Sequence, residues 1–417
     1  MAPLRLVLIA PFATYPKAST SARALPLARA LAGRGHRVTV LVPPYDRPQE
    51  GGRVYQVGQA QVEALLVPGV AEHSPRQALL QPQLAARLVG RVRQLQPDLV
   101  HVFKPKAVSG LAQLLLWYGR RVTSWPRRSQ AWPAVVLDTD DWEGFGGWNE
   151  YETYPWWQKL ACDWQERWGL RHAHAVTVAS RTLEAQAWSH RVPPARVSYL
   201  PNGLAPEDLP GWRGADPGRA REGLRLGQAP VLLLYTRFFE FAPERVVEVV
   251  ERVRAAVHDA KLLVVGAGKY GQERRLQALA AGRRLQDAVV LAGWQEPEQL
   301  PGLLAAADVA LFPADDNLAN RAKCSVKLLQ AMWLGLPVVA DRVGQQAEYV
   351  QHGSSGWLSD PEDPQSMADA AVRLLRDREL ARRLGEGARR RAATDFNWPH
   401  LAERAERAYL AALGSSA

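Results

Sequence analysis

The sequence predicts an α/β protein with two Rossmann-like, doubly wound parallel-sheet domains facing a central cleft. Short apolar runs alternate with longer amphipathic runs, which is the pattern of βαβ units in a parallel sheet. The alternation stops once, in a stretch rich in glycine, proline and charge at 205–229, and then restarts. The 417 residues are also enough for at least two hydrophobic cores.

The first half opens with a βαβ unit. Leu4–Ala10 reads as a buried strand, Ser21–Arg34 as a helix that stops at Gly35, and Arg37–Val42 as the next strand. The alternation continues with a helix at Leu84–Leu95 and strands at Leu99–Phe103, Ala134–Leu137, Ala175–Ala179 and Val197–Leu200.

The second half begins after the turn signal Pro201-Asn202-Gly203. We place the domains at 1–205 and 230–395, joined by a linker at 206–229 and followed by a terminal helix at 396–417. Strands are predicted at Val231–Tyr235, Lys261–Val265, Ala288–Ala292, Val309–Phe312 and Val338–Ala340. Helices are predicted at Glu244–Val257, Glu273–Ala281, Leu300–Ala306 and Val326–Leu334.

Composition excludes several classes of protein. With 47% hydrophobic and 23% charged residues, the chain is neither a disordered tail, a collagen-like fibre nor a disulfide scaffold. The two cysteines, Cys162 and Cys324, favour a reducing, cytoplasmic compartment. No run reaches the length of a transmembrane helix, so we expect a soluble protein, with peripheral contact at the inner face of a membrane left open.

Charge and tryptophan are unevenly distributed. The formal charge is +10, but no basic-aromatic motif accompanies it, so nucleic acid is not an expected partner. Lysine occurs only eight times, and four of these lysines lie at candidate edges of the cleft: Lys104, Lys106, Lys323 and Lys327. Seven of the fifteen tryptophans fall between Trp132 and Trp168, and tryptophan recurs in sugar sites, interfaces and membrane belts.

An acidic, tryptophan-rich loop follows the strand Ala134–Leu137. We expect it to bind sugar, with carboxylates on hydroxyl groups and indole rings on sugar faces. The residues concerned are Asp138, Asp140, Asp141, Trp142, Glu143 and Trp148. A plain βα loop with an aspartate helix cap, and an Asp-x-Asp metal site at Asp138 and Asp140, are the alternatives.

A row of apolar residues follows this loop with helical spacing. It consists of Trp157, Leu160, Ala161, Trp164 and Trp168. We interpret it as a core face; the flanking Lys159, Arg167 and Arg171 keep a membrane-surface or acceptor-binding helix as the alternative. Lys104, just after the strand Leu99–Phe103, fits either a charged acceptor such as a lipid phosphate or an exposed loop.

Candidate anion-binding residues follow strands of the second half. Arg237 lies just past Val231–Tyr235, where a guanidinium can hold a diphosphate. Gly266-Ala267-Gly268 suits either close backbone approach to phosphate or a plain turn. Lys323 and Lys327 are four residues apart, which predicts one helical face near a helix N-terminus, with surface charge as the alternative.

Six segments of the chain, in order, resemble the GT-B fold and in particular the family 4 retaining glycosyltransferases. They are Arg34–Val38, Leu200–Gly203, Asp308–Pro313, Ala331–Val339, Gly353–Leu358 and Phe396–Trp398. The resemblance implies that the first domain lies on the acceptor side, that the second binds the donor, and that the terminal helix crosses back to the first domain. It also favours a bacterial enzyme of cell-envelope glycan synthesis.

The same resemblance assigns site residues. Arg237 matches a family arginine, but the family lysine a few residues later is missing. Gln330 and Ala322 stand where the family has two glutamates, and Asp140 stands where it often has a histidine, followed by the matching Asp141. Catalysis is assigned to Asp140, Asp141, Arg237 and Lys327. Donor binding is assigned to Arg237, Gly266, Gly268, Lys323, Lys327, Gln330 and Glu348, and acceptor or sugar binding to Asp138, Trp142, Glu143, Trp148 and Lys104.

The function implied is metal-independent transfer of a sugar, a hexose by preference, from a nucleotide-diphosphate donor with retention of configuration. The donor is a co-substrate, no cofactor is expected, and the acceptor is a glycan, a lipid or a small molecule. The missing acid pair keeps a non-catalytic, glycosyltransferase-like carbohydrate-binding or partner subunit as the alternative.

Overall fold

The computed structural model describes residues 2–14, 19–69, 75–122, 132–212 and 214–414. These residues form two units. The first contains Met1–Gly203, Ala322–Cys324 and Trp398–Ala417, and the second contains Leu204–Arg321 and Ser325–Asn397. Each unit is built on its own sheet.

The first unit is built on an eight-stranded sheet in the order β3-β4-β2-β1-β5-β6-β7-β8. Its strands are β1 Arg5–Ile9, β2 Arg37–Val42, β3 Val54–Val57, β4 Ala60–Ala64, β5 Leu99–Phe103, β6 Ala134–Thr139, β7 Ala175–Val178 and β8 Val197–Tyr199. All neighbours run parallel except the hairpin of β3 and β4. The helices that follow the strands are α1 Leu25–Gly33, α2 Pro75–Leu95, α3 Ala107–Val122, α4 Trp156–Arg171 and α5 Arg181–Ser189.

The first helix differs from the sequence prediction of Ser21–Arg34. A π-helical turn occupies Ser19–Ala24, and the α-helix begins only at Leu25. Pro26 stands in the first turn of α1, where its missing N–H leaves no hydrogen bond unmade. The regular α-helix therefore starts next to this proline, and the residues before it form the wider π-helical turn.

The second unit is built on a six-stranded, all-parallel sheet in the order β11-β10-β9-β12-β13-β14. Its strands are β9 Val231–Tyr235, β10 Lys261–Val265, β11 Val289–Gly293, β12 Val309–Phe312, β13 Val338–Asp341 and β14 Trp357–Ser359. Its helices are α6 Gly218–Gly223, α7 Pro243–Ala256, α8 Gln272–Gly282, α9 Leu300–Ala305, α10 Leu318–Ala322, α11 Val326–Leu334, α12 Gly344–Tyr349, α13 Pro364–Arg376 and α14 Arg378–Asp395. Valines of α7 and alanines of α13 belong to one buried apolar cluster with residues of β9 and β10.

The stretch at 206–229, predicted as a linker, belongs to the second unit. This stretch carries the short helix α6. Three of its apolar side chains outside α6 are buried: Leu209, Trp212 and Leu226. The glycines and prolines of this stretch indicate turns, but the stretch also contributes apolar side chains to the core of the second unit.

The last helix, α15 Trp398–Gly414, belongs to the first unit. Its apolar face is fully buried, and Glu406 accepts hydrogen bonds from Arg34 at 2.7 and 3.0 Å. The hydroxyl of Tyr409 lies 2.9 Å from Nδ1 of His101 on β5. Two parallel-sheet α/β units are therefore present, which confirms the predicted fold class.

Candidate functional site

The sequence-predicted site residues form two groups, one in each unit. In the first unit they follow the carboxyl ends of β5 and β6, which are neighbours, with Phe103 paired to Asp138. In the second unit Arg237 follows β9, and Gly266 and Gly268 follow its neighbour β10. The remaining predicted residues of this unit, Lys327, Gln330 and Glu348, lie on α11 and α12. Carboxyl ends of parallel strands are where α/β proteins bind their ligands.

Lys104 is the centre of the first group. It is buried, and its backbone adopts a left-handed conformation with φ of 55°. Its Nζ lies 2.6 Å from Asp141, 3.1 Å from Asp140 and 3.1 Å from Glu143. Burial lowers the pKa of Lys104, but the three carboxylates outweigh it and hold that pKa well above its usual value. Lys104 is therefore a charged, paired side chain rather than an exposed one.

Glu143 was predicted to bind sugar, and the structure corrects this. Only 1% of it is exposed, and its carboxylate accepts hydrogen bonds from Lys104 at 3.1 Å and from Lys106 at 2.8 Å. Burial raises the pKa of Glu143, but the two lysines prevail and lower it to about 2. Both carboxylate oxygens of Glu143 already accept hydrogen bonds from lysines of the protein, so Glu143 holds the loop in place.

Asp138 is corrected in the same way. It is fully buried, and Arg23 donates to both of its oxygens at 2.6 Å. Thr177 donates a further hydrogen bond to Oδ2 at 2.6 Å. A carboxylate so occupied has no room for a sugar hydroxyl or a metal ion, so neither role predicted for Asp138 fits its position. Arg23 itself was missed, since nothing in its local sequence marks it.

Trp142 is the third correction. It was predicted to face a sugar ring, yet only 3% of it is exposed. Its indole Nε1 donates to the carbonyl of Phe145 at 3.0 Å, and its ring stacks on His190 with centroids 5.4 Å apart. Trp148, by contrast, is half-buried, and the ammonium of Lys323 lies 5.3 Å from its ring centre.

Asp140 and Asp141 are the carboxylates of this group that keep some exposure. Their side chains are 8% and 22% exposed. Oδ2 of Asp140 accepts a hydrogen bond from Ser19 at 2.7 Å. Burial raises the pKa of Asp141, and Lys104 opposes that shift. Asp141 is therefore the carboxylate of the loop best placed to meet a ligand.

Glu166 on α4 is a buried acid that sequence reasoning missed. It is fully buried and accepts a hydrogen bond from Thr139 at 3.1 Å. Burial raises its pKa well above the usual value, which favours the neutral acid. The only available signal was its position on the helical face opposite the tryptophan row.

The second group surrounds the end of β9. Arg237 and Lys327 are both partly exposed, and the ammonium of Lys327 lies 5.0 Å from the ring centre of Tyr235. This contact places the first turn of α11 beside the last residue of β9. Ser325 caps α11 by accepting a hydrogen bond from the N–H of Leu328. Two cations and a helix N-terminus, which favours anions, thus lie at one edge of this sheet.

Lys323 does not share a helical face with Lys327, which corrects the sequence prediction. The helix begins at Val326 because Ser325 caps it, so Lys323 precedes the helix. The segment Ala322–Cys324 belongs to the first unit, where Asn202 donates its N–H to Sγ of Cys324 at 3.2 Å. Lys323 is thereby held over Trp148 instead.

Gly266 and Gly268 follow β10, and only the first needs to be glycine. Gly266 has a φ of 115°, and a Cβ added there would collide with the carbonyl oxygen of Thr236. A Cβ at Gly268 would meet only the movable side chain of Gln272. Gly266 therefore allows two strand ends to approach closely.

Gln330 and Glu348 lie on α11 and α12, and both are half-buried. The backbone carbonyl of Glu348 accepts a hydrogen bond from Arg391 at 3.0 Å, which anchors α12. Their predicted contact with a donor stays a prediction.

The tryptophan row on α4 is not a core face, contrary to the sequence prediction. Trp157, Leu160 and Trp164 are each about half exposed, at 51%, 49% and 49%, and the preceding Trp156 is 75% exposed. The buried face consists of Cys162, Asp163, Glu166, Gly169 and Leu170. Helical spacing identified the stripe correctly but could not tell which side of the helix meets the sheet.

Within the described ranges, no three histidine, cysteine or acidic side chains are grouped as a metal site would require. Over the same residues, no helix has both the length and the apolar character needed to cross a bilayer.

Comparisons with known proteins agree with the geometry. A family model described as a glycosyl transferase 4-like domain matches residues 20–203, and one described as glycosyl transferases group 1 matches 229–377. A GDP-mannose-dependent alpha-(1-6)-phosphatidylinositol monomannoside mannosyltransferase of Mycobacterium tuberculosis is 30% identical over 54% of this chain and 59% of its own. An N-acetyl-alpha-D-glucosaminyl L-malate synthase of Bacillus anthracis is 28% identical over 58% of this chain and 61% of its own. The chain thus spans about three fifths of these relatives.

Solved structures share the fold at low sequence identity. Sucrose-phosphate synthase of Thermosynechococcus elongatus has a TM-score of 0.71 and 22% identity over 97% of this chain and 98% of its own. The Anabaena protein HepE in complex with UDP-glucose has a TM-score of 0.64 and 17% identity over 97% and 98%. With two matched family models along most of its length and these fold neighbours, the chain belongs to the family 4-like glycosyltransferases and has their GT-B fold.

Proposed function

We propose that this protein is a glycosyltransferase that takes a sugar from a nucleotide-diphosphate donor, and that the donor's diphosphate binds in the second unit. The observation that carries the proposal is the grouping of Arg237, Lys327 and the capped N-terminus of α11 at the end of β9. Each of these groups favours an anion, and a diphosphate is the anion that a sugar-nucleotide donor brings.

The same cations suit the chemistry. Breaking the bond between sugar and diphosphate leaves negative charge on the leaving group, and cations placed there stabilise the transition state more than the ground state. Arg237 can hold the diphosphate bidentately, and Lys327 adds a point charge. With this charge supplied by side chains, we propose transfer that requires no metal ion and no cofactor, and that proceeds with retention.

Asp141, with Asp140 beside it, is our proposed sugar-facing pair in the first unit. The paired ammonium of Lys104 holds both carboxylates in place. Carboxylates orient sugar hydroxyls by accepting their hydrogen bonds. Gln330 takes the position of a family glutamate and can still hydrogen-bond a hydroxyl, although without charge.

The donor's base and sugar are best found by screening. UDP-glucose is bound by HepE and GDP-mannose is named for the mycobacterial relative, so hexosyl donors with UDP or GDP come first. Calorimetric titration with UDP, GDP, ADP and CMP, followed by a transfer and hydrolysis assay with the corresponding nucleotide sugars, tests the proposal.

Three variants sharpen this test. Arg237→Ala and Lys327→Ala should each weaken nucleoside-diphosphate binding about tenfold or more, since each removes a charge-assisted contact. Arg383→Ala, at an exposed arginine of α14, removes the same charge elsewhere in the unit and should change nothing. If no nucleotide binds and no donor is turned over, the proposal is wrong. Binding that survives both variants without turnover favours the non-catalytic alternative, which the missing glutamates motivate.

We also propose that the exposed face of α4 rests on an anionic membrane. Trp156, Trp157, Leu160 and Trp164 present apolar and aromatic surface, and Arg171 lies at the end of the same helix. Indole rings favour the boundary between lipid and water, and cations favour anionic headgroups. An acceptor carried by lipid would then be held beside the enzyme.

A further inference from the structure

The second unit contains a cavity at the C-terminal end of α11, the end opposite the one that carries Lys327. It has a volume of about 630 Å³, within the range of small-molecule sites. Its lining residues are Trp212, Gly214, Trp333, Leu334, Glu386, Arg389, Arg390 and Ala393. Lys327 is in the first turn of α11 and Trp333 in the last, so about 9 Å of helix axis separates them.

The cavity wall owes its form to a close contact between α11 and α14. A Cβ added at Gly385 of α14 would collide with the carbonyl oxygen of Gly335, the residue that ends α11. Trp212 and Trp333 are only 5% and 7% exposed, so both rings are fixed by packing. Rigid aromatic walls of this kind bind flat or cyclic groups with little loss of side-chain freedom.

The charge of the cavity is positive. Among the residues the structure describes, the guanidinium groups of Arg389 and Arg390 have neither an ion pair nor a hydrogen bond. Glu386 is already engaged by Arg382, with a contact of 2.6 Å between Oε1 and Nη1. The end of α11 adds only about half a negative charge. Two full positive charges therefore exceed the negative charge that this end of the helix supplies.

We propose that this cavity is a second ligand site, separate from the donor site, for a small phosphate monoester that carries a ring. Arg389 and Arg390 bind the phosphate, and the small accessible parts of Trp212 and Trp333 in the cavity wall contact the sugar or base attached to it. Guanidinium groups match phosphate oxygens bidentately, and indoles pack on sugar and base rings.

The position of the cavity gives the site a regulatory use, and this part depends on the proposed function. The helix α11 carries Trp333 in the cavity wall and Lys327 in the proposed donor site. A ligand that orders the last turn of α11 also orders the first, so occupancy should tighten donor binding by linkage.

The test is calorimetric titration of the full chain with glucose 6-phosphate, AMP and inorganic phosphate. We expect a ring-bearing monoester to bind more tightly than inorganic phosphate. The double variant Arg389→Ala/Arg390→Ala should weaken that binding about tenfold or more, because it removes charge-assisted hydrogen bonds. Arg378→Ala/Arg383→Ala, at two exposed positions of the same helix, is the matched control and should leave it unchanged.

The donor-site variant Lys327→Ala separates the two sites. Binding of the monoester should persist in it, whereas loss there and persistence in the Arg389/Arg390 variant would place the ligand in the donor site and overturn the proposal. Equal weakening in the arginine variant and its control, or binding by none of the three probes at millimolar concentration, would also overturn it. Neither result depends on whether any sugar is transferred.

Discussion

Arg23 and Asp138 form a doubly hydrogen-bonded ion pair in which both side chains are buried, with Nε to Oδ1 and Nη2 to Oδ2 each 2.6 Å apart. Arg23 also donates to the carbonyl of Leu200 at 2.8 Å and to Oδ1 of Asn202 at 3.0 Å. One guanidinium thereby links the turn before α1, the end of β6 and the turn that follows β8. Burial lowers the pKa of Arg23, but the Asp138 carboxylate more than restores it, so Arg23 stays charged.

Breaking this pair should destabilise the protein strongly. Arg23→Met leaves Asp138 buried without a counter-charge, and we expect a loss of about 3–5 kcal/mol in the free energy of unfolding. Urea denaturation followed by circular dichroism measures it. Arg23→Lys keeps the positive charge and should lower the free energy of unfolding by less. Arg37→Met, at an exposed arginine, should hardly change the free energy of unfolding. A stability of Arg23→Met equal to that of Arg37→Met would contradict the structural role.

Glu143 should make the free energy of unfolding depend on pH under acidic conditions. Its pKa is about 2 in the folded protein against an ordinary 4.5, so the unfolded chain binds more protons between these values. Its contribution, about 3 kcal/mol, is therefore complete above pH 4.5 and is lost as pH falls toward 2. Urea titrations from pH 3 to 7 should show a shallower pH slope in Glu143→Gln than in wild type. The exposed Glu150→Gln is the control, and an unchanged slope in Glu143→Gln would refute the assignment.

The two glycines after β10 should respond differently to the same change. Gly266→Ala places a side chain at a φ of 115° and against the carbonyl of Thr236, so we expect a loss of about 1–3 kcal/mol and weaker nucleotide binding. Gly268→Ala displaces the Gln272 side chain from its hydrogen bond with the N–H of Tyr270 but meets no backbone atom, and it should cost about 1 kcal/mol or less. Thermal unfolding and calorimetry report both effects. Equal responses would mean that the close approach at Gly266 does not matter.

The tryptophans of α4 should govern membrane contact. Wild-type protein should co-sediment with vesicles of phosphatidylglycerol and phosphatidylcholine more than with phosphatidylcholine alone, and less at high salt. Trp157→Gln/Trp164→Gln should lower the partition coefficient about tenfold, which corresponds to 1.4 kcal/mol. Trp188→Gln removes a tryptophan that is 45% exposed on α5 and serves as the control. If the double variant and the control sediment alike, this face of α4 is not the contact surface.

Most of the buried framework was predictable from the sequence. Five strands have the bounds that the sequence predicts, because buried parallel strands are apolar runs ended by turn residues. They are Arg37–Val42, Leu99–Phe103, Val231–Tyr235, Lys261–Val265 and Val309–Phe312. The helix Val326–Leu334 was also placed correctly, since Ser325 caps it and Gly335, at a φ of 79°, ends it. The hairpin at Val54–Ala64 was missed, because Val54 and Tyr55 are exposed and give no apolar run.

The site was less predictable, because its pairings join residues far apart in the chain. The acidic loop was recognised as unusual, but its partner Lys104 follows a different strand and becomes a partner only once β5 and β6 are neighbours. Arg23, 115 residues before Asp138, has no local signal at all. Trp142 and Trp148 look alike in the sequence, and only packing separates the buried ring from the accessible one.

The helix α15 has a consequence for the order in which the chain can fold. The first unit needs Trp398, Leu401 and Tyr409 to complete its core, yet these residues leave the ribosome after the whole second unit. Domains generally fold as the chain emerges, N-terminal first, but here the N-terminal unit must wait for the last helix. A fragment ending at residue 203 would expose the surface that α15 covers, so the second unit is the better candidate for folding alone.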